Sequence, residues 1–130
     1  MAPSKGKQNR FYEPLQDMHA EPSPHVYALP NAPFSDFYVN LSRDSELKAI
    51  ADEALDALKE DKFAGTAIPK ERIPKTYLRE YGVTDLYKMN LRKNYRLTYT
   101  LIGSKEGVCP HVIEVMTHRE YLKRFGYKVR

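Results

Sequence analysis

One cysteine, Cys109, in 130 residues excludes an internal disulfide and fits a reducing compartment. No apolar run approaches the roughly 18 residues of a membrane-spanning helix, so a soluble chain is expected. The opening "MAPSKGKQNRFYEPLQ" lacks the apolar core of a secretory signal, and the expected location is cytoplasmic. Glycine is sparse, and there is no Gly-rich phosphate loop, nucleophile elbow or dinucleotide fingerprint. His19, His25, His111 and His118 are scattered, and Cys109 with His111 is an isolated pair, so neither a metal nor a cofactor is expected. These absences disfavour a conventional NTPase or hydrolase.

The length suits one domain around a single core. The net charge of +4 is unevenly spread. Residues 1–65 hold seven Lys/Arg against eleven Asp/Glu, net −4, whereas residues 66–130 hold fourteen against six, net +8. Clustered cations gain affinity for polyanions by releasing phosphate counterions, which points to nucleic acid. The alternative is a solvated basic face balancing an acidic helix of the same molecule.

Residues 1–34 carry six of the nine prolines without helical or strand period and read as an N-terminal arm. The folded domain is expected over 35–130. In "DFYVNL", Phe37, Val39 and Leu41 alternate with Tyr38 and Asn40, which predicts a strand. Leu47, Ile50, Ala51, Ala54, Leu55 and Leu58 then follow helical spacing, with Ser42 or Asp44 as the cap. A basic loop follows, with one helical turn, "KTYLREYG", ended by Gly82.

The run "LYKMNLRKNYRLTYTL", residues 86–101, has a two-residue beat that discriminates between hairpin registers. A two-residue turn at Lys93-Asn94 would put Arg96 on the greasy face. A three-residue turn, Arg92-Lys93-Asn94 with Asn94 left-handed, instead pairs Leu91 with Tyr95, Met89 with Leu97 and Tyr87 with Tyr99. The other face then carries Asn90 beside Arg96 and Lys88 beside Thr98. A further strand, "VCPHVIEVM", sets Ile113 and Val115 against Val112, Glu114 and Met116, with Pro110 marking an irregular or exposed start. Thr117 and Glu120 form a capping box for a short terminal helix that opens at His118.

The order strand, helix, basic loop and three-stranded meander, with "LYKMNLRKNYRLTY", "VIEVMTHREY" and "KRFGY", resembles the RelE/ParE superfamily of toxins from toxin-antitoxin pairs, over about Phe37 to Tyr127. "NYRLTY" carries most of the resemblance, and "IPKTYLREYGVTDLYKMNL" with "HREYLKRFGY" resembles an archaeal-type branch. It implies an α+β fold: a small antiparallel β-sheet packed on one face by one or two helices from the N-terminal half, with a short C-terminal helix and a concave basic opposite face. In the RelE branch that face enters the ribosomal A site and cuts messenger RNA without a metal. Side chains must then help deprotonate the 2′-hydroxyl, stabilise charge on the phosphate and protonate the 5′ leaving oxygen.

By the resemblance, Arg96 matches the strand arginine that meets phosphate through its guanidinium fork. Its competing role is a pair with Glu114 or a loop carboxylate. Lys88 matches a basic strand position, although Asn90 stands where a second lysine often follows; a plain surface lysine is the alternative. His118 matches a histidine or arginine at the end of the last long strand, where an imidazole can exchange protons near neutrality, or sit satisfied by backbone. Tyr121 is a candidate to stack on a base or bond a phosphate, or else packs the helix onto the sheet. Arg92, Lys93, Lys75, Arg119 and Tyr127 are the implied RNA contacts, and Glu71 is a candidate general base. The implied partners are a cognate antitoxin with an acidic or amphipathic segment, mRNA and the ribosome. The alternative is a non-catalytic member of the fold, a ParE-like inhibitor of DNA gyrase or a decayed toxin.

Overall fold

The computed structural model describes residues 25–104 and 107–127. The proline-rich arm as far as Pro24 lies outside the described residues. The elements are β1 (Tyr27–Ala28), α1 (Pro33–Val39), α2 (Glu46–Glu60), β2 (Thr66–Ala67), α3 (Lys75–Tyr81), β3 (Tyr87–Leu91), β4 (Tyr95–Ser104), β5 (Gly107–Thr117) and α4 (His118–Arg124). They form an α+β fold around one five-stranded sheet in the order β1-β5-β4-β3-β2.

The domain starts before position 35. Tyr27 and Ala28 pair in parallel with His111 and Val112, and the Leu29 N–H donates to the Val112 carbonyl at 2.8 Å. Leu29 and Phe34 are both buried. The sheet is therefore mixed, where a purely antiparallel one was expected.

The strand predicted at "DFYVNL" is instead helical. Pro33 at the first helical position pre-sets φ, and Phe34, Phe37 and Tyr38 then fall at i, i+3 and i+4. Phe34 is buried and stacks on Tyr38 at 5.3 Å, while Val39, an inward residue in the strand reading, is 72% exposed. The alternation seen from Phe37 onward was a helical stripe viewed without Phe34. α2 forms where its apolar spacing indicates, but its cap is Ser45, whose hydroxyl accepts from the Lys48 N–H at 3.0 Å. Tyr38 donates to Asp52, which also pairs with Lys48 at 2.8 Å, tying α1 to α2.

The hairpin adopts the three-residue register, with Leu91 opposite Tyr95, Asn90 opposite Arg96 and Lys88 opposite Thr98. Both Lys93 (φ 61°) and Asn94 (φ 62°) are left-handed at the turn. In β5 the alternation breaks. Thr98 pairs with Glu114 but Tyr99 with Val112, so Ile113 is the extra residue of a β-bulge. Val112 consequently packs with Leu97 and Tyr99, on the same side as Val115, and Ile113 joins Met116 and Tyr121 on the other. The sequence-based sides of Val112 and Ile113 are thus exchanged. Pro110 is fully buried, not exposed, and pairs with Leu101. It shares the parity of Val112, so its missing N–H faces β1's side, ahead of β1's first paired residue.

Both faces of the sheet are covered, which corrects the one-sided packing expected. α1 and α2 bury Phe34, Ala54 and Leu58 against Met89, Leu97, Tyr99 and Val112. α3 and α4 bury Tyr77, Tyr121 and Phe125 against Ile113, Met116 and Leu86 on the opposite face. Gly82 (φ 66°) ends α3, and the capping box of Thr117 and Glu120 starts α4.

Candidate nucleic-acid interface

The hairpin register sends Lys88, Asn90 and Arg96 to the face that carries α3 and α4. The centre of that face is closed, since Thr98 is fully buried beneath Tyr77, whose hydroxyl lies 3.3 Å from Thr98 Oγ1. Beside this cover, Lys88 and Arg96 stay partly exposed.

Lys88 Nζ donates to Asn90 Oδ1 at 3.1 Å and lies 5.8 Å from the centre of the Tyr121 ring. Tyr121 is buried and stacks on Phe125 at 4.6 Å and on Tyr127 at 5.8 Å. The Arg72 guanidinium covers Tyr127 at 4.1 Å and donates to the Gly126 carbonyl at 2.8 Å. Arg96 donates to the Tyr95 carbonyl at 2.9 Å. Lys88, Tyr121, Tyr127 and Arg72 therefore form one continuous array, with Arg96 close enough to repel the Lys88 ammonium.

Electrostatics tune this array. Burial, with Arg96 adding repulsion, lowers the Lys88 ammonium from its ordinary range. Burial chiefly, reinforced by Tyr127, pushes the Tyr121 hydroxyl up to about 12. At neutral pH Tyr121 is a neutral hydrogen-bond donor, and Lys88 is a cation that gives up its proton more readily than a free lysine. The group of donors suits an anion with several oxygens, such as a phosphodiester.

The competing role for Arg96 is not adopted. Glu114 accepts from Tyr77 at 3.0 Å and from Arg124, and no described carboxylate pairs with Arg96. Other predicted residues lie elsewhere. Arg92 makes a fork-to-fork pair with Glu53, at 2.9 and 2.8 Å, and Lys93 approaches Glu46 at 3.7 Å, so the hairpin tip faces the acidic side of α2. That pairing realises locally the balance between acidic helix and basic face. Lys75 is exposed at the start of α3, and Arg119 is exposed in the first turn of α4. Glu71 is exposed in the 3-10 turn Lys70–Arg72. His118, by contrast, opens α4 two residues past Met116, the β5 partner of Arg96, and its buried Nδ1 has no hydrogen-bond partner among the described residues.

Arg72 was missed by sequence reasoning. Its partners Gly126 and Tyr127 lie more than fifty residues away along the chain, and nothing local in "PKERIPK" separates it from the neighbouring cations. Among the described residues no group of three or more His, Cys, Asp or Glu gathers as a metal site. None of their helices is long and apolar enough to cross a membrane.

The fold and this array define an α+β protein with a cation-and-tyrosine surface at one sheet face. No protein-family model, curated protein or solved structure matches the chain.

Proposed function

We propose that this chain is a RelE-like toxin of a toxin-antitoxin pair, a metal-independent endoribonuclease that cuts messenger RNA on the ribosome. The observation that carries the reading is the convergence of Lys88, Arg96 and Tyr121 on one sheet face, with Arg72 and Tyr127 continuing the array. In the reaction, the 2′-oxygen loses its proton and bonds to phosphorus while the bond to the 5′-oxygen breaks and that oxygen gains a proton. Arg96 grips the phosphate oxygens, while the buried Tyr121 ring packs α4 onto the sheet beneath Lys88. Lys88, with its lowered proton affinity, and the His118 imidazole exchange the two protons. The cognate antitoxin would lay an acidic or amphipathic segment over the same cations.

Purified protein is expected to cleave mRNA in a translating extract, and Arg96→Ala with His118→Ala to abolish cleavage. Intact message in the presence of wild-type protein would refute the reading. A second reading has its own support: Asn90 occupies the Lys88 ammonium, as suits a non-catalytic member of the fold. Intact message with blocked gyrase supercoiling would select it.

A further inference from the structure

Glu114 is the one carboxylate in strands β3, β4 and β5. It stands opposite Thr98, and Arg96 is two residues along β4 on the same face, so the two are diagonal neighbours. Diagonal neighbours in an antiparallel pair lie roughly 7–8 Å apart, within reach of long side chains. Unconstrained, the pair would form a salt bridge, and Arg96 would be neutralised. Instead both Glu114 oxygens are held from the helices. Oε1 accepts from Tyr77 of α3 at 3.0 Å, and Oε2 accepts from Arg124 of α4, which also reaches Met116 Sδ at 3.8 Å. The Glu114 side chain is 12% exposed, so a partner lost there is not replaced by bulk water.

We propose that Arg124, assisted by Tyr77, is a positioning residue for Arg96: by holding Glu114 it keeps the Arg96 guanidinium unpaired with carboxylate and available to an anionic ligand. This rests on the assignment of Arg96 as the phosphate contact. It explains why the helix end carries an arginine which, though itself exposed, reaches back with its guanidinium to the buried Glu114.

The test follows Arg96 directly, by phenylglyoxal modification of the full chain with the Arg96 peptide quantified by mass spectrometry. Arg124→Gln should slow modification of Arg96 several-fold, as Glu114 turns to it. Arg124→Gln/Glu114→Gln should restore the rate, and Arg124→Lys should preserve it. Lys123→Gln, which removes the same charge from an exposed position, should change nothing. In parallel, binding of a single-stranded RNA oligonucleotide should lose about 0.7 from its log K against log salt slope in Arg124→Gln and regain it in the double variant. Unchanged Arg96 reactivity in a folded Arg124→Gln overturns the proposal, as does a loss that Glu114→Gln fails to reverse. If Arg124→Gln does not fold, Tyr77→Phe with and without Glu114→Gln makes the same comparison. Wild-type protein that ignores RNA while Arg96 reactivity follows the expected pattern would sink the nuclease reading and leave this one standing.

Discussion

Arg72→Ala should release the segment after α4 without unfolding the sheet. The Arg72 guanidinium donates to Gly126 O at 2.8 Å and more weakly to Phe125 O at 3.4 Å, and it lies 4.1 Å over the Tyr127 ring. A hydrogen bond from a charged donor contributes about 1.5–3 kcal/mol, taken here at its lower end because the Gly126 bond is exposed. A cation over an exposed ring adds roughly 0.5 kcal/mol. The sum is about 2 kcal/mol, or ~30-fold in the opening equilibrium of residues 125–127. The Tyr127 amide, which donates to Leu122 O at 2.8 Å, is the reporter. Hydrogen exchange followed by NMR should show this amide exchanging ~30-fold faster in the variant, while Leu97 and Val112 amides in the buried strands keep their protection. Arg72→Lys retains the charge but not the fork, and should fall between the two. Equal exchange at Tyr127 in both proteins would refute the clamp. A uniform acceleration that included Leu97 would refute it too, because the effect would then be global.

Two further expectations follow from closely packed positions. A Cβ on Gly65 would sit 2.5 Å from the Lys88 carbonyl and 2.8 Å from the Tyr99 ring, where the Gly65 N–H meets the Tyr99 hydroxyl at 3.0 Å. Gly65→Ala should therefore cost about 1–3 kcal/mol in urea unfolding, and an unchanged midpoint would count against the close approach. His111 is buried beside Tyr27, with its Nδ1 3.1 Å from the Cys109 carbonyl, and burial chiefly lowers its proton affinity. The unfolded chain then binds the proton more tightly, so stability is complete above the ordinary value of about 6.5 and declines as pH falls from there towards the depressed folded value. His111→Gln should flatten that decline, and identical profiles would refute the assignment.

Much of the fold was legible because local rules agreed with one another. The hairpin register followed from Leu91, Met89 and Leu97 sharing a face, since a slip of one residue would have turned Arg96 inward. α2, the Gly82 stop and the capping box of α4 followed from spacing and cap chemistry. What misled was context beyond the local window. Phe37, Val39 and Leu41 alternate, yet Pro33 and Phe34 decide the segment for a helix. β1 is two residues long, with no periodic signal to announce it, and exists because β5 offers it an edge.

The sequence by itself determined the pairing of Lys88 with Thr98 and of Asn90 with Arg96, because the period of a strand is two and one face must be apolar. Only the tertiary structure decided which cations are available. Arg92 and Lys93 are drawn to Glu53 and Glu46 of α2, Arg124 is taken by Glu114, and Arg72 comes from a distant loop to meet Tyr127. Charge acts through space, not along the chain. A count of basic residues therefore showed that a cationic surface exists, and the packing of α2, α3 and α4 selected Lys88, Arg96 and Arg72 to form it.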